Sequence, residues 1–304
     1  MNASGNNIED LLLAGKIPKL DTVHLRNNKI KTLDTSKFNS PGLKFLLLQN
    51  NEITHVDLTV PPEKLYRLDL RNNSLTTFNG KDFRVKTLVN LDLSANKLTS
   101  FDFSGITQLY SLEMSDNMLN EVDFRELQHL SLNYLGLRNN KIKVVNTMVD
   151  KDKFIYLYTI DLSGNQLQSF RITFHDYRFY HNKRLLLNDN QLNKVVFEGS
   201  RSYHRWEPLR LENNNLGCFD NSIIDALSPK QLYMSSSNLT FLDLAGFDNL
   251  EVLDLSGNSL QTVYGLQGKT FKSVNVGNNP LWCDCYLRNA YERNTTGKPF
   301  SFLC

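Results

Sequence analysis

The pattern LxxLxLxxNxL recurs along almost the whole of this 304-residue chain. Its first full copy is LDTVHLRNNKI at 20–30 and its last is FKSVNVGNNPL at 271–281. The residues at the asparagine position of successive copies are 21 to 25 residues apart. A unit of that length cannot bury its own apolar residues, so the copies must stack on one another. The period therefore predicts a solenoid rather than a globule with one central core.

Each column of the repeat has a physical reason. Apolar residues stand at positions 1, 4, 6 and 11, and the LxL segment predicts a short strand whose alternate side chains point inward. Stacked in parallel, such strands form one continuous sheet. The asparagine at position 9 follows the strand, where its amide can satisfy backbone groups of its own and adjacent coils. Ser237 replaces it in one copy and has a single donor hydrogen, so we expect a weaker but unbroken ladder there.

A further apolar column lies at position 14 and is often followed by aspartate and another apolar residue, as in VDL and FDF. This alternation predicts a second, shorter extended segment on the convex side instead of a long helix. The expected fold is an α/β-type repeat solenoid, a horseshoe with a parallel concave β-sheet and little helix. It should span residues 1–281, as a partial first repeat and twelve full repeats, and residues 282–304 depart from the pattern.

Composition excludes several functional classes. Thirty-four basic residues nearly balance 32 acidic residues and form no clusters, which argues against a nucleic-acid partner. Apolar runs are far shorter than the roughly 20 residues of a membrane span, so any membrane contact would need segments absent from this chain. No phosphate-loop, dinucleotide, metalloprotease or hydrolase motif is present. We therefore expect no enzymatic activity and no cofactor. Acidic residues at position 5 could in principle hold a cation between coils, but LDL is the ordinary text of the repeat and an exposed aspartate aids solubility, so no metal site is expected.

The repeats and the segment NNPLWCDCYL resemble the extracellular leucine-rich repeat family with a C-terminal cysteine-rich cap. The signature of that cap begins NPxxCxCxL, which is matched by Asn279, Pro280, Cys283, Cys285 and Leu287. The resemblance implies a disulfide between Cys283 and Cys304 and a partner for Cys285 beyond residue 304. The cap is therefore expected to be cut short, and the chain to be part of a longer one. Cys218 is expected to be a free or an intermolecular thiol.

The compartment follows from the cap and from glycosylation sequons. A structural disulfide persists only where the surroundings are oxidising. Sequons at Asn72, Asn238 and Asn294 agree with passage through a secretory pathway. We therefore expect an extracellular protein, either secreted or the ectodomain of a cell-surface protein.

Surface residues are the variable part of such a repeat, and two candidate binding surfaces emerge. Tyrosine and arginine dominate protein-binding hot spots and gather at concave positions of the second to seventh repeats. This predicted site comprises Phe45, Leu47, Tyr66, Arg67, Arg71, Tyr110, Tyr134, Arg138 and Tyr158. A secondary partner surface is predicted at Arg178, Arg201 and Arg205, whose charges packing does not explain.

Within the family, the chain is most similar to Toll-like receptors, Slit-like guidance proteins and insect leucine-rich immune proteins. That resemblance implies innate-immune binding of a protein or of a pathogen-derived pattern through the concave face. The partner would be a protein ligand or co-receptor, and a homo- or heterodimer is possible. The alternatives are the ectodomain of a cell-adhesion or guidance receptor, and a cytosolic leucine-rich repeat scaffold.

Overall fold

The computed structural model describes residues 1–11, 17, 19–37, 40–81, 83, 85–148, 157–174, 183–199, 206–217, 219, 229–247, 249–266 and 269–282. Packing divides the chain into two compact units, the first unit Met1–Thr159 and the second unit Ile160–Cys304. In both units each repeat contributes a three- to five-residue strand to a parallel sheet, and the turn with the position 9 residue follows that strand. The division predicted at residue 281 stays a prediction.

The strands of the repeat motif are called inner strands. The first unit stacks β1 (Thr22–His24), β3 (Phe45–Leu47), β5 (Arg67–Asp69), β7 (Asn90–Asp92), β9 (Ser111–Glu113) and β11 (Tyr134–Gly136), in that order. The second unit stacks β13 (Thr159–Asp161), β15 (Lys183–Leu186), β17 (Trp206–Arg210), β18 (Gln231–Tyr233), β19 (Val252–Asp254) and β20 (Ser273–Asn275). Pairing is parallel, so equivalent motif positions meet, as Leu46 meets Leu68 and Leu68 meets Leu91.

Shorter sheets form where the position 14 column predicted a second extended segment. In the first unit, these parallel pairs are β2 (Thr32–Asp34) with β4 (His55–Asp57), β6 (Thr77–Asn79) with β8 (Ser100–Asp102), and β10 (Glu121–Asp123) with β12 (Val144–Asn146). In the second unit β14 (Ser169–Phe174) pairs with β16 (Lys194–Gly199). The helical elements of the described residues are two 3-10 turns, Thr35–Lys37 and Phe124–Glu126. The predicted repeat solenoid with little helix is confirmed.

The core is built from the apolar motif positions. In the third full repeat Leu65, Leu68, Leu70 and Leu75 are all buried, and the same positions are buried in the neighbouring repeats of the first unit. Fully burying such a side chain contributes about 1.5–3 kcal/mol, so each added coil adds its own share of apolar stabilisation. The sheet exists because the alternation places these leucines on one side of every strand.

The position 9 asparagines form a hydrogen-bonded ladder between successive coils. Asn73 Nδ2 donates to Leu70 O in its own coil (2.9 Å) and to Leu48 O in the preceding coil (3.1 Å). Its Oδ1 accepts from the N–H of Ile53 in the preceding coil at 3.0 Å. The same three bonds recur at Asn28, Asn51, Asn96, Asn117, Asn140, Asn190, Asn214, Asn258 and Asn279. Each asparagine therefore satisfies backbone groups that the turn would otherwise bury unpaired.

Ser237 continues the ladder by a different set of bonds. Its hydroxyl donates to Leu211 O of the preceding coil at 2.9 Å, as an asparagine there would. The short side chain cannot reach the N–H of Leu216, which instead donates to the backbone oxygen of Ser237 at 2.9 Å. The ladder is therefore unbroken, as expected, because the backbone replaces the missing side-chain acceptor.

The residue before the ladder residue, at position 8, has a left-handed backbone. Examples are Asn50 at φ 58°, Asn72 at φ 53° and Asp116 at φ 57°. Asparagine, aspartate and glycine tolerate this region better than other residues, which explains the frequent NN, DN and GN pairs of the sequence. Ala95 at φ 51° adopts the same conformation without that tolerance, so the turn and not the residue type sets the geometry.

Candidate protein-binding surface

The candidate site is the solvent-exposed side of the inner strands in the first unit, which we call the sheet face. Tyr66 and Tyr110 project from it, with 43% and 50% of their surface exposed. Phe45 on the neighbouring strand is half-buried and contacts Tyr66 edge-on, with ring centroids 5.9 Å apart. This packing limits the rotamers of Tyr66 and presents it as a rigid aromatic group.

A polar network crosses the same face beside these rings. Its centre is Asp69, which is only 2% exposed although it is charged. Gln49 Nε2 donates to its carboxylate, and Arg67 Nη2 does so at 3.1 Å. Burial, together with the neighbouring carboxylate of Asp92, raises the pKa of Asp69 above its ordinary value. Arg26 extends the network by donating from Nε to Gln49 Oε1 at 3.0 Å.

A second group on the sheet face is organised by Glu113. Tyr134 donates its hydroxyl to Glu113 Oε2 at 2.8 Å, and Glu113 Oε1 accepts from the N–H of Ser115 at 2.9 Å. Gly136 makes room for this carboxylate, because a Cβ there would lie 2.3 Å from Glu113 Oε1. The tyrosine is therefore fixed by its neighbours, and its ring orientation depends on a glycine on its own strand.

Two arginines of the predicted site remain available for a partner. Arg71 and Arg138 are exposed, and within the described residues their guanidinium groups bond no protein atom. Tyr158 is half-buried on the same face. Leu47 requires a correction, since only 7% of it is exposed and it is therefore buried. It cannot supply the contact area that was expected of it.

The inner strands of the second unit carry charges that pair with one another. Lys230 Nζ lies 3.3 Å from Glu207 Oε1 and 3.9 Å from Glu251 Oε1, and Lys272 Nζ lies 2.6 Å from Glu251 Oε2. These four residues all occupy motif position 2, so the repeat itself aligns opposite charges in a row. Their sequence order Glu, Lys, Glu, Lys is the signal from which this pairing could have been recognised.

Arg210 in the second unit is also engaged by neighbours. Its guanidinium carbon lies 4.5 Å from the centre of the Tyr233 ring, and Nη1 donates to Glu212 Oε1 at 2.8 Å. Burial raises the pKa of Glu212. The charged groups of this surface therefore have protein partners, in contrast to Arg71 and Arg138 in the first unit.

Acidic side chains at two motif positions act as turn caps. At position 5, Asp92 Oδ1 accepts from the N–H and hydroxyl of Ser94 at 3.0 and 2.6 Å, and Asp161 and Asp254 bond the serine two residues on in the same way. At position 15, the aspartates of the VDL and FDF segments accept the N–H two residues on, as Asp102 does from Ser104 at 2.8 Å. That bonding lowers the pKa of Asp102. Sequence reasoning missed this role, and no group of three possible metal ligands occurs in the described part of the chain.

Other predicted residues fall into two sets. Asn72 and Asn238 are exposed, and each donates from Nδ2 to the asparagine side chain of the preceding coil, Asn50 (2.9 Å) and Asn215 (3.0 Å) respectively. The remaining predicted positions lie outside the described residues: Cys218, Cys283, Cys285, Cys304, Arg178, Arg201, Arg205 and Asn294. In the described ranges no helix has the length and apolar character that crossing a membrane requires.

Two segments of the chain match models of known protein families. Residues 63–119 and 249–268 match family models described as leucine rich repeat. These repeats are leucine-rich repeats. The matched segments fall in both units, and their asparagines belong to the ladder described above.

One relative found by sequence and two solved structures are similar to this chain. The repeat chain is 30% identical to podocan of Mus musculus over 215 residues, which is 67% of this chain and 31% of podocan, so it spans about a third of that protein. Among solved structures, the leucine-rich repeat protein LIC12759 of Leptospira interrogans has a TM-score of 0.56 at 23% identity, covering 86% of this chain and 73% of that one. The leucine-rich repeat domain of APL1B has a TM-score of 0.54 at 22% identity, covering 97% and 90% of the two chains.

Proposed function

We propose that this leucine-rich repeat chain is an extracellular recognition ectodomain that binds a protein partner through the sheet face of its first unit. It acts by presenting a preformed surface and catalyses no reaction. The finer part of the proposal is an innate-immune role, directed at a protein or a pathogen-derived pattern. Its support is the sequence resemblance to animal leucine-rich repeat proteins with cysteine caps.

The observation that carries the proposal is the contrast between the two units. On the first unit, the sheet face carries the exposed aromatic rings of Tyr66 and Tyr110 together with Arg71 and Arg138, whose guanidinium groups bond no protein atom within the described part of the chain. Rigid aromatics and arginines contribute most of the energy in protein interfaces. On the second unit, the equivalent positions hold ion pairs such as Lys272 with Glu251. A partner that bound there would have to compete with these ion pairs for the charged groups, which would reduce the net free energy of binding. The first unit is therefore the better binding surface.

The extracellular part of the proposal rests on the sequons and on the CxC segment. Oxidation of Cys283 and Cys304 to a disulfide would close the cap of the repeat stack, and the sequon asparagines Asn72 and Asn238 are accessible. A dimer, and further contacts at Arg178, Arg201 and Arg205, belong to the proposal as well. Endogenous protein should migrate differently under reducing and non-reducing conditions and shift after glycosidase treatment. No change in either measurement would favour the cytosolic scaffold instead.

The binding site is tested with substitutions of exposed rings. The full chain and its Tyr66→Ala/Tyr110→Ala variant are used to capture partners by cross-linking from extracellular fluid, followed by affinity measurement on the main partner. Tyr264→Ala is the matched control, because Tyr264 is also an exposed ring (49%) but lies in the second unit outside the inner strands. We expect the double variant to bind at least about tenfold more weakly and the control to be unchanged. Equal affinities for all three proteins would refute the site.

The nature of the captured partner separates the two extracellular alternatives. A pathogen surface molecule or a circulating immune protein supports the innate-immune role. A cell-surface receptor from developing tissue, bound with the same dependence on Tyr66 and Tyr110, would instead assign the chain to adhesion or guidance.

A further inference from the structure

A groove whose lining residues are all asparagine or glutamine lies on the second unit, beside the asparagine ladder. The groove is open to solvent and has a volume of about 430 Å³. The lining residues are Gln168, Asn190, Gln191, Asn193, Asn214 and Asn215. None of them is charged, so the groove suits a neutral ligand with many hydroxyl or amide groups.

The side-chain amides of this groove differ in how many hydrogen bonds they make to protein groups. Asn190 and Asn214 belong to the ladder, where their side chains bond backbone groups on both sides. Gln168, Gln191 and Asn193 are exposed, and their side-chain amides bond no protein group among the residues that the structure describes. Each carries two donor hydrogens and one acceptor oxygen. Three unused amides in one groove can therefore donate to and accept from the hydroxyl and acetamido groups of a sugar.

One end of the groove is connected to a glycosylation sequon. Asn215, which lines the groove, accepts from Nδ2 of Asn238 at 3.0 Å. Asn238 and Thr240 are both exposed and form the sequon Asn-Leu-Thr. Successive coils are about 4.8 Å apart, so a sugar on Asn238 begins within one coil of the groove.

We propose that Asn238 carries an N-linked glycan whose first sugars lie in this amide groove. Attachment transfers an oligosaccharide from a lipid pyrophosphate donor: the anomeric carbon forms a bond to Nδ2, the bond to the pyrophosphate breaks, and the amide loses one proton. The substituted amide keeps one N–H, which can still donate to Asn215. The proposal rests on the extracellular assignment above, because the donor is met only in the secretory pathway.

The test measures how well the glycan is held. The full chain is expressed with an N-terminal secretion signal. Peptide N-glycosidase then removes the glycan from the native protein, and the rate of this release is measured by glycopeptide mass spectrometry. Asn72 is the matched control site, since its amide also donates to an asparagine of the preceding coil, but that asparagine, Asn50, donates onward to Asn27. A groove variant, Gln168→Ala/Gln191→Ala/Asn193→Ala, removes the three unused amides.

We expect release from Asn238 to be at least about tenfold slower than from Asn72, as two or three net hydrogen bonds would require. In the groove variant the rate at Asn238 should rise to that at Asn72, with the melting temperature unchanged. An unoccupied Asn238, or a release rate that the groove variant does not alter, would overturn the proposal. If Asn72 carries no glycan, the comparison of the release rates at Asn238 in the wild type and in the groove variant is sufficient to test the proposal.

This result is separate from the test of the proposed function. The secretion leader forces the chain through the secretory pathway, so the experiment reports on the groove whatever the natural compartment is. Failure of the extracellular assignment would be seen instead in the mass of the endogenous protein. A free chitobiose that binds the Asn238→Gln variant, while Asn238 of the wild type is unglycosylated, would assign the groove to an external saccharide and refute its occupation by the chain's own glycan.

Discussion

Replacement of one ladder asparagine should cost more than replacement of the serine that stands in the same column. Asn214→Ala removes the Oδ1 that accepts from the N–H of Leu192 at 2.9 Å, and that buried N–H is left without a partner. An orphaned buried donor costs about 1–3 kcal/mol, and the lost donor bonds add about 1 kcal/mol. The carbonyl of Leu187 keeps its bond from Asn190, so it adds little. The expected destabilisation is about 2–4 kcal/mol.

Ser237→Ala in the next coil is the matched control. It removes the hydroxyl, which donates to Leu211 O at 2.9 Å and lies 3.1 Å from Ser235 O. Both oxygens keep a donor, because Asn214 Nδ2 still donates to Leu211 O at 2.9 Å and the N–H of Asn213 to Ser235 O at 3.0 Å. The N–H of Leu216 keeps its bond to the backbone oxygen of residue 237, so no donor is orphaned. The expected cost is about 1 kcal/mol.

Both variants are measured by urea unfolding of the full chain, followed by circular dichroism at neutral pH. The two substitutions lie in adjacent coils of the same unit, so any partial unfolding affects them alike. The midpoint should fall clearly further for Asn214→Ala than for Ser237→Ala. Equal shifts, within about 0.5 kcal/mol, would show that the orphaned N–H finds another partner and that the ladder argument is wrong.

Three further predictions concern sterics and charge. Gly105→Ala should destabilise by about 1–3 kcal/mol or more, because a Cβ there would lie 2.2 Å from Lys81 O; a melting temperature within 2 °C of wild type, by calorimetry, would contradict this. Burial lowers the pKa of Lys183 to about 8 from 10.5, so Lys183→Met should stabilise by up to about 3 kcal/mol at pH 7, and the gain should vanish as the pH rises from 8 to 10.5. Unfolding midpoints that show a constant gain would contradict it. The pKa of Asp102 is lowered by bonds from Ser104, so its stabilisation is present above pH 4 and lost in more acidic buffer. Asp102→Ala should therefore show a smaller loss of stability than wild type between pH 5 and pH 3, and identical acid profiles would refute this.

The fold could be predicted from the sequence because each motif position has the same surroundings in every coil. Leu68 and Leu91 are both buried because they stand at the same inward-pointing motif position on paired strands. The burial of the equivalent residue in every other coil can be predicted for the same reason. The strands of the shorter sheets were predictable from the position 14 column in the same way. At Ser237, the count of donor hydrogens in the serine side chain was enough to predict a weaker ladder. It did not reveal that the backbone oxygen of Ser237 would replace the missing side-chain acceptor.

The surface was predictable only in part, because exposure depends on neighbours in adjacent coils. Leu47 and Tyr66 both stand at sheet-face positions, yet one is buried and the other exposed. The motif gives the direction of a side chain and not the size of the groups beside it. Likewise, the tie between Tyr134 and Glu113 requires the space left by Gly136, which no single column of the repeat reveals.

The ladder also bears on how such a chain can change over generations. As at Asn73, the ladder asparagines of the described residues bond their own winding and the preceding one, so the duplication or deletion of one complete winding leaves both new neighbours with a full set of partners. Outer segments already vary in length between windings, since the asparagine spacing runs from 21 to 25 residues. A gene of this kind can therefore lengthen, shorten or recombine its recognition surface by whole windings, while an insertion of a few residues within a strand would shift the register and be eliminated.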